Sequence, residues 1–110
     1  MTEFSDEPES SHEVVFLLRA DIAIQEIFTY YENLREGRGC DFLAAVQESE
    51  HPLRRFPRSG RAYYKQFRRL LISEQRYGLF YSIEGRRVMV AAVVGVQQDA
   101  KSIRRLLDGL

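Results

Sequence analysis

The run RRVMVAAVVGV, residues 86–96, constrains this chain more than any other stretch. From Val88 to Val94 it carries no polar side chain at all. A strand with one wet face alternates apolar and polar residues, so an unbroken apolar run demands cover on both faces. The chain must therefore build a sheet with this strand inside it. What precedes it supplies the hairpin: RYGLFYSI, residues 76–83, is aromatic-rich and β-prone, and Glu84-Gly85 between the two runs reads as a tight turn.

The rest of the chain supplies the cover. EVVFLL, residues 13–18, reads as a short buried strand. The period then changes: Ala20, Ile24, Ile27, Phe28, Tyr31 and Leu34 recur at three- and four-residue steps, the apolar stripe of an amphipathic helix. Gly37 and Gly39 are expected to close it. A second helix is expected over 40–49, with Phe42, Leu43 and Val46 inward and an end set by His51-Pro52, because proline pushes its predecessor out of the helical region. The short connection makes an antiparallel helical hairpin. AYYKQFRRLLIS, residues 62–73, reads as one further strand, and Asp99 as the N-cap of a last helix that presents Ile103, Leu106 and Leu107. The fold class is α+β: a small, mainly antiparallel sheet with the helical hairpin packed on one face, in the order β-α-α-β-β-β-α. A length of 110 residues suits one domain, read here as 13–110, behind an acidic, disordered tail over 1–12.

A net charge of zero hides a division. Residues 1–50 hold 12 acidic and 3 basic side chains, and residues 51–110 hold 4 acidic and 13 basic ones. Within RRFPRSGRAYYKQFRR, residues 54–69, seven cations alternate with four aromatics and meet no acid. Such a surface fits a polyanion or an acidic partner, unless the two halves simply neutralise each other across the fold. The tail could itself fold back onto the basic half.

Several chemistries are unsupported. One cysteine, Cys40, forbids an internal disulfide, and with His12 and His51 it gives no metal-ligand spacing. No histidine accompanies a nucleophile, no glycine-rich phosphate loop is present, and no pair of carboxylates has acid–base spacing. No apolar run is long enough to span a membrane, so the reading is a cytoplasmic protein without metal or cofactor.

The order of motifs resembles the RelE/ParE toxin superfamily, the plasmid-stabilisation type of toxin. Ala20-Asp21-Ile22 opens the first helix, Tyr30-Tyr31-Glu32 stands near its end, Gly37 and Gly39 form the link, and Phe42-Leu43 lies in the second helix. Pro52 and Phe56-Pro57 match a two-proline loop, Arg68-Arg69 an arginine pair opening a strand, and residues 76–94 the strand, hairpin and last strand. The chain departs from the pattern at Gly95-Val96-Gln97-Gln98-Asp99-Ala100, where the family often has histidine, a small residue and a basic pair before Asp-Pro. Arg76-Tyr77 likewise keeps only the tyrosine of Phe-Pro-Tyr.

The resemblance implies a toxin of a type II toxin–antitoxin system, ParE-like, that binds a cellular target such as DNA gyrase and is neutralised by a cognate antitoxin peptide. Arg68, Arg69, Arg104 and Arg105 are the candidates for charged contacts, with Tyr77 and Tyr81 on the adjacent strand. The alternatives are a RelE-like ribosome-dependent mRNA endoribonuclease, using Lys65, Arg69 and Arg76 for charge, and a binding module of the same fold that has lost toxicity. A homodimer through the helical hairpin, or a hetero-oligomer with the antitoxin, is open on either reading.

Overall fold

A computed structural model describes residues 11–110. Strand β1 (Glu13–Phe16) leads into helices α1 (Leu18–Leu34) and α2 (Arg38–Arg55). A 3-10 turn (Pro57–Ser59) then precedes β2 (Arg61–Tyr64), β3 (Phe67–Ile72), β4 (Tyr77–Glu84), β5 (Arg87–Gly95) and α3 (Ala100–Asp108). The sheet order is β1-β5-β4-β3-β2, with β1 parallel to β5 and every other pair antiparallel. This is the expected α+β architecture. The apolar run lies inside the sheet, between β1 and β4.

Both faces of β5 are covered. On one, Val88, Val90 and Val93 join Leu79, Tyr81 and Ile72 against Ala20 and Ile24 of α1 and Phe42, Val46 and Leu53 of α2. On the other, Phe67, Phe80, Ala91 and Ala92 meet Ile103 and Leu107 of α3. A bulge makes this possible: Phe80 pairs with Ala92 but Tyr81 with Val90, so Ala91 is the extra residue. Two successive small side chains thereby face α3. Burying Ile103 and Leu107 contributes roughly 1.5–3 kcal/mol each.

Three boundaries differ from expectation. Helix α2 does not end before Pro52 but runs through it to Arg55. Pro52 cannot donate to the carbonyl four residues back, yet Leu53 beyond it is fully buried, and that burial carries the helix one turn further. Residues 62–73 form two strands, not one. Lys65, at φ +53°, turns the chain between Tyr64 and Phe67, a left-handed conformation that no glycine or asparagine advertised. The sheet therefore has five strands. Finally, α1 starts at Leu18, so β1 is shorter than the expected strand.

The glycine link also works differently. Gly37 (φ +91°) is the left-handed residue at the N-cap of α2, whereas Gly39 lies inside its first turn. A Cβ on Gly39 would stand 2.7 Å from the carbonyl oxygen of Phe28, so this glycine permits close approach of α1 and α2. Most of the expected tail, residues 1–10, lies outside the described residues. His12 itself is tied to the domain, its amide donating to the Arg54 carbonyl at 3.0 Å.

Candidate partner-binding surface

The alternation of β3 decides what becomes of the basic stretch. Neighbouring residues on a strand point to opposite faces, so Arg68 and Arg69 part company. Arg68 pairs with Tyr81 and Arg69 with Phe80. Arg68 is turned to internal work: its Nη1 donates to the carbonyls of Gly60 (2.7 Å) and Arg58 (3.5 Å). Tyr81, fully buried, bonds the same loop. Its hydroxyl accepts from the Gly60 amide at 2.9 Å and donates to the Pro57 carbonyl at 2.5 Å. The pair clamps the 3-10 turn to the sheet.

Arg69 belongs to the opposite face. Its guanidinium lies 5.2 Å from the Tyr63 ring centroid, and Tyr63 stacks edge-on against Phe80 at 5.0 Å. Beside it, Lys65 at the tip of the β2–β3 hairpin and Arg104 on α3 both approach the Tyr64 ring, at 5.2 and 5.9 Å. Asp108 completes the cluster, accepting from Lys65 Nζ at 2.8 Å and from the Tyr64 hydroxyl at 3.0 Å. That contact raises the Lys65 ammonium above its usual pKa and holds the Asp108 carboxyl below the usual carboxylate range. Three cations and two aromatics thus share one rim, built by the sheet edge and the end of α3.

Arg76 closes the turn over 73–76 at the other end of β3, and Tyr77 opens β4 directly after it. The Tyr77 hydroxyl is 3.1 Å from that of Tyr31, and burial followed by this bond pushes its phenol well above the ordinary range. Arg38 stands 5.4 Å above the Tyr31 ring. Burial likewise raises the Tyr81 phenol. Arg105 is exposed, on α3 near Asp99. The structure therefore brings Lys65, Arg69 and Arg104 together, places Arg76 and Tyr77 elsewhere, and gives Arg68 and Tyr81 structural tasks.

Sequence reasoning placed Tyr31 on the apolar stripe of α1 and Tyr63 and Tyr64 among the aromatics of the basic stretch, but named none of them, nor Glu32, as a site residue. Glu32 Oε2 accepts from the amides of Gly37 and Gly39, both at 3.0 Å, and so caps α2 from the preceding helix. The Tyr30-Tyr31-Glu32 motif was the available signal, but its work depends on partners 5 to 46 residues away.

Between α1 and α3 runs a groove of about 400 Å³ floored by Val93 and Val94 and walled by Ala23, Ile27, Ile103 and Leu106. Arg104 and Arg105 stand on the exposed side of the same α3 turn. Among the described residues no group of histidine, cysteine and carboxylate side chains could hold a metal ion. No described helix is long and apolar enough to cross a membrane.

An open sheet with a helical hairpin on one face, a short helix on the other and a cationic, aromatic rim defines a small α+β protein built to present surface. The chain matches the family model for the ParE toxin of the type II toxin–antitoxin system parDE over residues 14–100, and it belongs to that family. Among solved structures it resembles the chromosomal ParDE TA system from P. aeruginosa, with a TM-score of 0.70 over 80% of this chain and 99% of that one. At 13% identity this likeness concerns the fold. No curated protein matches the chain.

Proposed function

We propose that this toxin acts by binding rather than by bond cleavage, with a target of the DNA gyrase kind, and that an antitoxin segment holds it inactive. The observation that carries the reading is how the candidate groups are engaged: the Tyr77 hydroxyl lies on that of Tyr31, the Tyr81 hydroxyl is bonded to Gly60 and Pro57, and Lys65 is held by Asp108. Neither histidine joins the cationic rim: His51 sits on α2 and His12 beside Phe56, both on the hairpin face.

The antitoxin reading rests on the groove between α1 and α3. An acidic amphipathic segment could place apolar side chains between Ile27 and Leu106 and carboxylates against Arg104 and Arg105. Arg68 is a poor probe of this contact, since its replacement would loosen the 58–60 loop. Replacing Arg104 and Arg105 by Glu should weaken binding of the neighbouring gene product by roughly tenfold or more, mainly through slower association. Unchanged affinity in calorimetry would remove the two arginines from the interface.

The mRNA-cleaving reading finds charge and stacking at Tyr64, Lys65, Arg69 and Arg104, but the carboxylate beside them, Asp108, is engaged by Lys65 and the Tyr64 hydroxyl. Controlled expression of the chain in a bacterial host decides the first question. Growth arrest with inhibited supercoiling by purified gyrase and intact cell-free translation supports the binding mechanism. Arrest with message cleavage supports the nuclease. Absence of arrest by folded protein supports a module without toxicity.

A further inference from the structure

A trough distinct from the rim and the α1–α3 groove runs between α2 and β3. Its two compartments, of about 370 and 320 Å³, share Ala45, Glu48, Ser73 and Glu74 and so form one surface. One wall is the edge of β3. Strand β2 pairs with β3 only over residues 67–69, whereas β4 pairs along it as far as Ile72. Over residues 70–72, β3 therefore has a strand on one side only among the described residues, and no loop backbone bonds to it there. Leu70 and Ile72 join the core beneath the helical hairpin, so Leu71 points to the opposite face, where it is 40% exposed.

The other wall is α2. Asp41, Ala45 and Glu48 recur at four- and three-residue steps and share one side of it, and Pro52 continues the wall past Ala45. The cations of the trough have neighbours: Arg38 lies 5.4 Å above the Tyr31 ring, and Arg76 stands 3.8 Å from Glu74. Neither Asp41 nor Glu48 has an ion-pair partner among the described residues. Asp41 has a second task, opposing the positive end of α2, but Glu48 in mid-helix has none.

We propose that this trough docks a short extended segment of a partner protein in which apolar and basic residues alternate. The segment adds to β3 along its free edge and takes up the outward backbone groups of residues 70–72. Its apolar row lies beside Leu71. Its basic row falls on the α2 side, with aliphatic stems against Ala45 and Pro52 and charged ends at Glu48 and Asp41. A strand separates its two rows as β3 separates Leu71 from Leu70, so one alternating segment satisfies both faces. Glu48 and Asp41 would repel the acidic segment assigned to the α1–α3 groove. The two surfaces therefore select partners of opposite charge.

The test titrates the isotope-enriched full chain with a capped peptide that alternates valine and arginine, and reads backbone amide shifts by NMR. The expected result is saturable shifts at Leu70, Leu71, Ile72, Ser73 and Glu48, with Lys65, Arg69 and Arg104 unmoved. Glu48→Gln, an exposed substitution, should weaken binding about twofold to fivefold, and Glu48→Lys should weaken it further. N-methylation of one alternate set of peptide amides should abolish binding while methylation of the other set leaves it, since a strand pairs along one edge. An equal response to both methylated peptides would reduce the contact to general charge attraction and overturn the proposal. An equal response to a valine–glutamate peptide, unchanged affinity in Glu48→Lys, or no saturable shift would do the same. Shifts over residues 70–73 that grow with protein concentration before any peptide is added would assign the edge to a second copy and also overturn it.

Discussion

Tyr81 does more for this fold than any single cation. Its buried hydroxyl is the shared partner of Gly60 and Pro57, and a Cβ on Gly60 would stand 2.6 Å from that hydroxyl and 2.9 Å from the Arg69 carbonyl oxygen. Tyr81→Phe leaves a buried amide unsatisfied and should cost about 1–3 kcal/mol in urea unfolding. The phenols also set an alkaline limit. Burial makes Tyr77 and Tyr81 keep their protons in the folded chain beyond the ordinary value of 10.0. The unfolded chain then binds fewer protons, so the stability they contribute is complete below about pH 10 and declines as pH rises further. Tyr77→Phe should flatten that decline in a series of denaturation curves, and an unchanged slope would remove Tyr77 as a source.

Among the elements, α3 and the β3–β4 turn respond to different tests. Asp99 caps α3, its Oδ1 accepting from the Ser102 amide at 2.7 Å, and this bond lowers the Asp99 carboxyl below its usual value of 3.8. The cap is therefore fully present above that value and is lost as pH falls through the lowered one. Protection of the Ser102 and Ile103 amides against hydrogen exchange should drop with acidification, and Asp99→Ala should abolish it at neutral pH. The turn holds Ser73, Glu74 and Gln75 in succession at φ of +54°, +57° and +66°, where side chains are strained. Gln75→Gly should raise stability by up to about 1 kcal/mol in chemical denaturation, because glycine removes the clash at an exposed site.

At the scale of the whole molecule, two cores share one sheet. Leu79 points into the core under the helical hairpin and Phe80 into the core under α3, and each is almost wholly buried. Because both sit on β4, the cores should melt together. Leu79→Ala should cost about 2–5 kcal/mol and Phe80→Ala about 3–5 kcal/mol, each moving a single transition seen alike by fluorescence and circular dichroism. Separate transitions would mean that α3 and its core form an independent unit. The charge division is resolved at the same scale. Acids and bases of the two halves do meet in places, as in Glu13 with Arg87, but Lys65 finds its acid, Asp108, on α3 within the basic half.

Much of the fold was legible without coordinates. The apolar run 88–94 placed β5 inside a sheet, the three- and four-residue stripe of α1 placed a helix on it, and Asp99 marked the start of α3, because each signal is carried by residues close together in sequence. The order of local motifs also sufficed for the family. What tertiary structure alone decided was which functional candidates meet. The parity of β3 sends Arg68 inward to a loop and Arg69 outward to Tyr63, although both are the same residue in the same dipeptide. Likewise the turn at Lys65 and the continuation of α2 through Pro52 contradict local preference, since burial of Phe67 and Leu53 outweighs it. Local sequence determined the elements, since periodicity and capping act within a few residues. The site waited on the packing, since its members are joined only through the sheet.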